Sequence, residues 1–285
     1  MTITDVRVHP GDSGFLLDDG QTSILYDSGF AFTGYGVADK IKTVLGDRPL
    51  DYIFLTHSHY DHALGSVYAR KYWPDVKVVA GEYAQNIFRK PSARALMREL
   101  DRKIAARCGV ESYEDLIDEL TVDIPVKDGD TVQCGTMIFT AVSLPGHTKC
   151  CFGFYLAKEK LLLGCETLGV FDGVRTIVPA CLVGYQMALD SMGKVKKLEI
   201  DHVLSPHLGL LTKEQTAFYL EKGAESMADT AKSIVSILRN GGSKDDCLAW
   251  FKERFYRDCI PDIYPPDAME LNTRIMVELI EKELC

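Results

Sequence analysis

Three histidines and an aspartate lie within six consecutive residues of this 285-residue chain. Imidazole nitrogens and carboxylate oxygens are natural ligands of borderline and hard divalent metals. A lone histidine is more often structural, but four candidate ligands packed this closely favour a metal site. They are His57, His59, Asp61 and His62.

The residues before this cluster predict the element that positions it. Asp51–Leu55 is a nearly unbroken apolar run that ends abruptly at Thr56, which is typical of a strand buried on both faces and opening into a loop. Short apolar segments between turn residues indicate further strands upstream and downstream. These strands are predicted at Thr2–Val8, Gly14–Leu17, Ser23–Tyr26, Val76–Ala80, Thr136–Val142, Cys151–Ala157, Leu161–Gly164 and His202–Leu204, with helices at about Gly36–Leu45 and Tyr185–Leu198.

Two stretches have helical patterns. In residues 82–120, Leu96, Leu100 and Ile104 recur at i, i+4 and i+8, and Ser112 with Asp115 is able to cap a further short helix, so we expect a helical insertion. Residues 211–285 begin with a capping-box pair, Thr212 and Gln215. The first predicted helix buries a stripe of Met227, Ala231, Ile234, Val235 and Leu238. A second helix, opened by Ser243, buries Cys247, Phe251 and Phe255. A last helix, capped by Asp267 and Glu270, buries Leu271, Ile275 and Leu279. The predicted domains are 1–210, which includes the insertion, and a C-terminal helical appendage, 211–285.

Composition narrows the class of protein. The chain is 46% hydrophobic and 26% charged, as globular proteins are, and its net charge of −9 without a dense basic cluster argues against nucleic-acid binding. No apolar run approaches the ~18 residues of a membrane span. The N-terminus lacks the pattern of a signal peptide. Nine cysteines without a Cys-x-x-Cys pair indicate reduced thiols, so we expect a cytoplasmic protein.

The motifs together resemble the metallo-β-lactamase superfamily. The His-x-His-x-Asp-His segment after a buried strand and a threonine resembles the signature of that family, and its later motifs follow in order over residues 1–210. They are the turn at Tyr26–Gly29, the second histidine motif at Leu144–Thr148, the strand leading to the metal-bridging acid at Leu161–Leu168, and the last histidine motif at Ser205–His207. The resemblance implies an α/β fold, a four-layered αββα sandwich.

The resemblance also implies a ligand set for two divalent metal ions. It would place His57, His59 and His147 on one metal and Asp61, His62 and His207 on the other, with a bridging acid and a bridging hydroxide between them. Asp61 would also orient that hydroxide as a catalytic residue. Zinc is the first expectation, with iron and manganese as alternatives, because such mixed sites accept all three.

Glu166 departs from the family pattern, which has aspartate at this position after a glycine. The longer side chain would still ligate, but it would shift the carboxylate or the metal spacing and so affect the second metal. A different register would bring Cys165 to the metal instead, although neighbouring residues on a strand face opposite ways. Asp27 would either hold the histidine loop or simply form a turn.

The resulting hypothesis is a metal-dependent hydrolase that uses metal-bound hydroxide to cleave a small ester, thioester, lactone or phosphodiester. The arrangement of the inserted and C-terminal helices is similar to that of the quinolone-signal thioesterase-like branch. Tyr60, Arg175 and Tyr185 are candidates for substrate contact or for ordinary packing. The alternative hypothesis is a non-catalytic metal-binding regulator or sensor on the same fold. A homodimer through the C-terminal helices is compatible with both.

Overall fold

The computed structural model describes residues 1–285 and contains two compact units. The first consists of Met1–Ser143 with Phe152–Leu156, and the second of Leu144–Cys151 with Ala157–Cys285. The predicted boundary at residue 210 stays a prediction.

The first unit is built on a six-stranded sheet whose strands follow one another in chain order. Neighbours β1 to β3 are antiparallel, whereas β3 to β6 run parallel. A second group of strands, β7 to β9, forms an antiparallel meander. The strands are β1 (Thr2–Asp5), β2 (Phe15–Asp18), β3 (Ser23–Tyr26), β4 (Tyr52–Phe54), β5 (Lys77–Gly81), β6 (Ile124–Val126), β7 (Thr131–Cys134), β8 (Met137–Ser143) and β9 (Phe152–Leu156).

Five helices accompany these strands. They are α1 (Gly34–Leu45), α2 (Tyr60–Ala63), α3 (Ser66–Tyr72), α4 (Glu82–Phe88) and α5 (Pro91–Arg107). Helix α1 joins the parallel strands β3 and β4 and buries Val37, Ile41 and Leu45, which are four residues apart and therefore share one face. Because β3 and β4 are parallel neighbours, the turns at their carboxyl ends lie side by side.

The second unit is mostly helical around two small groups of strands. Strand β10 (Leu161–Leu163) pairs in parallel with β13 (His202–Ser205), which pairs antiparallel with β14 (Gly209–Leu210); β11 (Val170–Phe171) and β12 (Ile177–Val178) form a hairpin. The helices are α6 (Tyr185–Val195), α7 (Lys213–Arg239), α8 (Lys244–Phe255), α9 (Ile260–Ile263) and α10 (Pro266–Leu284).

Local sequence signals fix the starts of two long helices. Thr212 accepts a hydrogen bond from the Gln215 amide at 3.2 Å, and the Gln215 side chain accepts one from the Thr212 amide at 2.9 Å. Ser243 and Asp246 form the same reciprocal pair at the start of α8. Both predicted helix starts are confirmed, because a capping box satisfies two amide groups that lack a partner within the helix.

The insertion differs from its prediction in three respects. Leu96 is 55% exposed, whereas Ile104 is buried as predicted, and the buried face of α5 also includes Met97 and Asp101. The short helix expected after Ser112 is reduced to a single 3₁₀ turn, Ile117–Glu119. Asp115 accepts a hydrogen bond from the Ile117 amide at 3.3 Å and also accepts from Arg98 and Arg102 on α5. Two strands that the sequence did not indicate, β6 and β7, follow the insertion.

Helix α10 corrects another stripe. Leu271 is 49% exposed, and the buried face carries Met269, Thr273, Met276, Val277 and Ile280. The expected Asp267–Glu270 cap is also wrong, since the helix begins with Pro266, and Pro265 at the N-cap position makes no side-chain bond. The fixed φ of proline suits the first helical position, where its missing N–H is no loss.

Two further expectations concern thiols and membranes. All nine cysteines are free, as predicted; seven are buried or half-buried, and Cys108 and Cys285 are exposed. None of the helices combines the length and the apolar character that crossing a membrane would require.

Candidate metal centre

The first group of candidate ligands lies in the segment that follows β4 and continues into α2; we call residues 55–62 the histidine loop. His57 and His62 are fully buried, while His59 and Asp61 are partly exposed. The His57 ring lies 4.5 Å from the His59 ring and 4.1 Å from the His62 ring, measured between centroids. Ligand atoms of His57 and His59, and likewise of Asp61 and His62, lie within 4.8 Å of each other. The sequence cluster is therefore also a cluster in space.

Asp27 anchors this loop from the neighbouring strand. It follows β3, has a φ of 51° and is fully buried. Its carboxylate accepts hydrogen bonds from the Thr56 amide at 2.8 Å, from His62 Nδ1 at 2.8 Å and from the Ser13 hydroxyl at 2.9 Å. Of the two roles considered for Asp27, the structure shows the holding role.

The same hydrogen bonds define which nitrogen of each ring carries the proton. The Thr56 hydroxyl lies 3.1 Å from both Asp27 oxygens and 3.0 Å from His57 Nδ1. A hydroxyl has one proton, so if Thr56 donates it to the carboxylate, Thr56 must accept from His57 Nδ1–H. His62 likewise donates its Nδ1 proton to Asp27. Both neutral rings then present the lone pair of Nε2 as a metal ligand.

The far end of the histidine loop is fixed by a close backbone approach. The Ser28 amide and hydroxyl both donate to the His62 carbonyl, at 2.7 and 2.8 Å. A Cβ on Gly65 would lie 1.8 Å from the Ser28 carbonyl oxygen, so only glycine fits at that position. One turn, residues 27–28, thus holds both ends of the loop.

The second group of candidate ligands belongs to the second unit and begins at the His147 turn. Gly146 has a φ of 150°, and a Cβ there would lie 2.7 Å from the Ala188 Cα and 2.8 Å from the Thr167 side chain. The Thr167 hydroxyl accepts from the His147 amide at 3.2 Å and donates to the Leu144 carbonyl at 2.7 Å. Close packing and backbone contacts therefore fix His147.

Glu166 connects the two histidines of this group. Its Oε2 lies 2.8 Å from His147 Nε2, and its Oε1 lies 3.5 Å from His207 Nε2. All three side chains are buried. Glu166 is the first residue of a short 3₁₀ turn, Glu166–Leu168, rather than the end of a strand. Its two oxygens thus face two different histidines, which is the arrangement that a bridging carboxylate needs.

The proton balance at His147 tests whether this group suits a cation. His147 Nδ1 lies 3.0 Å from the Ala180 carbonyl, which only accepts, so Nδ1 carries a proton. In the neutral ring, Nε2 then carries a lone pair that faces an oxygen of the Glu166 carboxylate. Burial lowers the pKa of His147, but the charge and the hydrogen bond of Glu166, together with smaller contributions from Cys151 and the Ala180 carbonyl, outweigh burial and raise the pKa above its ordinary value. The position between these atoms therefore favours positive charge, and a metal ion fits this donor set.

Comparison with known families supports the interpretation of this geometry. The sequence profile of the metallo-beta-lactamase superfamily matches residues 7–207. The chain belongs to the metallo-beta-lactamase superfamily. The α/β fold class predicted from the motifs is thereby confirmed, as is the helical C-terminal part.

Solved structures of the superfamily share the fold at low sequence identity. A metallo-beta-lactamase family protein from Thermus thermophilus is 18% identical, with a TM-score of 0.62 over 94% of this chain and 88% of that one. The subclass B3 metallo-beta-lactamase BJP-1 of Bradyrhizobium japonicum is 20% identical, with a TM-score of 0.56 over 81% and 90%. A chemotaxis sensor, ODP, described with a peroxy diiron species, is 15% identical, with a TM-score of 0.54 over 75% and 86%.

In the alternative alignment to the superfamily motif, Cys165 rather than Glu166 would be the metal ligand. Cys165 is fully buried and hydrogen-bonded to Cys151, and it belongs to neither group of candidate ligands. Burial raises the pKa of the Cys151 thiol well above its ordinary value. This pair of thiols fills the interior beside the His147 turn.

The remaining candidates of the sequence analysis lie in packed or exposed positions. The Tyr60 ring packs 5.7 Å from the Phe30 ring, Arg175 is exposed, and Tyr185 is half-buried at the start of α6. Sequence reasoning missed Ser13 and Thr167, which position ligands through hydrogen bonds. Ser13 lies outside every motif, and Thr167 lies within the Leu161–Leu168 motif, but neither hydroxyl has a sequence signal that names its partner.

Proposed function

We propose that this chain is a metal-dependent hydrolase that cleaves a small ester, thioester, lactone or phosphodiester. One ion would be held by His57, His59, His147 and Glu166, and a second by Asp61, His62 and His207. The observation that carries the proposal is the position of Glu166, whose two oxygens face His147 and His207. Membership of the superfamily supports it, because that superfamily includes hydrolases.

The bound ions would supply Lewis acidity and lower the pKa of a coordinated water from 15.7 toward about 7. The side chains of the protein have separate tasks. Asp27 fixes the protonation of His57 and His62, so both keep a lone pair for a metal. Asp61 differs from these buried rings, since 20% of its side chain is exposed, and its Oδ2 lies 3.5 Å from His62 Nε2. We assign to it the orientation of the attacking water, whose proton it can accept.

Metal content is the first test. Protein purified without added metal and analysed for elements should contain about two equivalents per chain, with zinc as the first expectation and iron or manganese as alternatives. Two equivalents would support a bridging Glu166. One equivalent or fewer would contradict the two-metal site and would favour the sensor alternative.

Turnover is the second test. A panel of aryl esters, thioesters, lactones and bis-aryl phosphodiesters should include a substrate, and His59→Ala should abolish its cleavage. The matched control is His202→Asn, because His202 lies outside both ligand groups and donates to the Leu211 carbonyl at 2.8 Å, as an asparagine amide also does. Full activity in His59→Ala, or two bound metals with no turnover on any substrate, would overturn the hydrolase proposal.

The finer expectations belong to this proposal as well. They are a small-molecule substrate, no nucleic-acid or membrane partner, a cytoplasmic location and a homodimer through the helices after residue 211. The partly exposed stripe of α10 around Leu271 supports a dimer contact, and light scattering on the purified protein tests it.

A further inference from the structure

The second unit contains a cavity of about 660 Å³ that the proposed hydrolase chemistry does not use. It lies between the loop before β12 and helices α7 and α8, and its wall includes none of the seven candidate metal ligands. Its volume is within the range of small-molecule sites, about 300–1,000 Å³. The chemistry of its wall indicates what it would bind.

The wall is basic in an acidic protein. Five of its side chains are cationic and two are anionic, whereas the whole chain has a net charge of −9. The two lysines are neutralised locally, by a Lys222–Glu225 pair at 2.6 Å and a Lys232–Asp229 pair at 3.2 Å. The three arginines of the wall make no ion pair; they are Arg175, Arg254 and Arg257.

Unpaired guanidinium groups on one cavity favour an anionic ligand. The planar fork of arginine matches phosphate and carboxylate oxygens and binds them through two parallel hydrogen bonds. Arg175 comes from the loop before β12, Arg254 from the end of α8 and Arg257 from the segment after it. Three separate positions therefore present positive charge to the same space.

Aromatic side chains complete the wall. Phe218 and Trp250 are half-buried and line the cavity. One side of Phe218 is stacked on Phe171 at 5.9 Å, and Trp250 meets Phe255 edge-on at 6.1 Å. Flat rings bind well on such faces, and base–aromatic stacking tolerates any base.

We propose that this cavity binds a nucleoside phosphate, whose phosphates would contact the arginines and whose base would stack on the aromatic wall. This site goes beyond the hydrolase proposal, and the two can fail separately, because binding here is measured without turnover and without metal.

Fluorescence of Trp250 gives a direct readout. The chain has two tryptophans, and the other, Trp73, is buried in the first unit, so Trp73→Phe leaves Trp250 as the only reporter. Titration with ADP should change its emission saturably, whereas adenosine and inorganic phosphate should each bind more weakly. Calorimetry on the unaltered full chain provides the same comparison if Trp73→Phe does not fold. No binding of ADP overturns the proposal, and phosphate binding as tightly as ADP overturns recognition of the base.

Matched variants assign the binding to this cavity. Arg254→Ala should weaken ADP binding about tenfold, whereas Arg274→Ala, which removes the same charge from α10 outside the cavity, should not. Equal ADP affinity in Arg254→Ala and Arg274→Ala would overturn the assignment.

Discussion

The two groups of candidate ligands are held in place by different means. In the histidine loop, four ligands follow one another in sequence, and one buried carboxylate, Asp27, fixes two of the rings. In the second unit, His147, Glu166 and His207 come from three separate segments, and the contacts that fix His147 are a backbone carbonyl, a threonine hydroxyl and close packing at Gly146. The first group should therefore depend on one side chain, and the second on the course of the backbone.

The largest effect is expected for Asp27→Asn. The amide group that replaces one oxygen cannot accept a hydrogen bond, so the Nδ1 proton of His62 loses its acceptor and the Ser13 hydroxyl must accept instead of donate. We expect metal affinity to fall by about 10–100-fold and the free energy of unfolding by about 1–3 kcal/mol. Titration against a chromophoric chelator and thermal unfolding would measure the two effects.

The control for this variant is Asp172→Asn in the second unit. The Asp172 carboxylate is buried and accepts from three backbone amides at 2.8–2.9 Å, but it holds no candidate ligand. It should lose stability without losing metal affinity. If Asp27→Asn binds metal as tightly as the unaltered chain, the dependence of the histidine loop on one side chain is refuted.

The next effect concerns the backbone of the second unit. In Gly146→Ala the new methyl group would overlap the Ala188 backbone, so we expect a loss of about 1–3 kcal/mol in the free energy of unfolding and weaker metal binding. Gly20→Ala is the matched control: its φ is also positive, at 88°, but nothing lies within 4 Å of the added atom. Chemical denaturation compares the two variants, and equal losses would show that the packing around His147 is not critical.

Acid should change the stability contributions of two carboxyl groups, Asp101 and Asp172, in opposite directions. Burial raises the pKa of Asp101 in the first unit from 3.8 to about 6, although Tyr113 and the Ala31 amide donate hydrogen bonds to it. Because the folded pKa lies above the unfolded one, this residue's contribution to stability is complete below the unfolded pKa and is lost as pH rises through about 6. The loss should be about 1–3 kcal/mol.

The pKa of Asp172 is shifted in the opposite direction. Burial raises its pKa, but the amides of Thr176, Val174 and Arg175 outweigh burial and hold the pKa below its ordinary value. Its contribution is therefore present above the unfolded pKa and is lost as pH falls through the folded pKa.

The variant Asp101→Asn tests the raised pKa of Asp101, because its amide keeps both hydrogen bonds. The free energy of unfolding, measured from pH 4 to 8, should vary less with pH at the alkaline end in this variant than in the unaltered chain. An unchanged profile would contradict the raised pKa of Asp101.

The smallest expected effect is a gain. Gly193 lies within α6, and nothing lies within 4 Å of an added Cβ. Gly193→Ala should therefore raise the free energy of unfolding by about 0.5–1 kcal/mol. Metal affinity should not change, and a parallel rise in affinity would show that stability alone, rather than the named contacts, controls metal binding.

The sequence predicted features that depend on neighbouring residues. Strand β3 has its predicted bounds, Ser23–Tyr26, and α7 begins at the predicted Thr212 cap. The predictions that failed involve polar residues on buried faces. Asp101 is buried because it accepts from the Ala31 amide at 2.8 Å, 70 residues away, so the apolar period of α5 predicted only part of the buried face. On α10 the partner is local: the Thr273 hydroxyl donates to the Met269 carbonyl, four residues earlier, at 2.7 Å, which allows a polar residue on the buried face.

At the candidate site, too, some residues could be predicted from the sequence and others could not. The histidine loop was visible as a sequence cluster, and family resemblance supplied Glu166 and His207. The partners that fix ring protonation were not visible: the Ala180 carbonyl is 33 residues from His147, and backbone groups have no signature in sequence. Whether all seven side chains hold metal stays a prediction.

The distribution of thiols has a practical consequence. Cys108, in the first unit, and Cys285, in the second, are exposed, and the other cysteines are at least half-buried. A thiol-reactive dye should therefore attach at one position in each unit without any engineered residue. With a fluorescent donor on one of these cysteines and an acceptor on the other, energy transfer would report the distance between the two labels while metal or ADP is added.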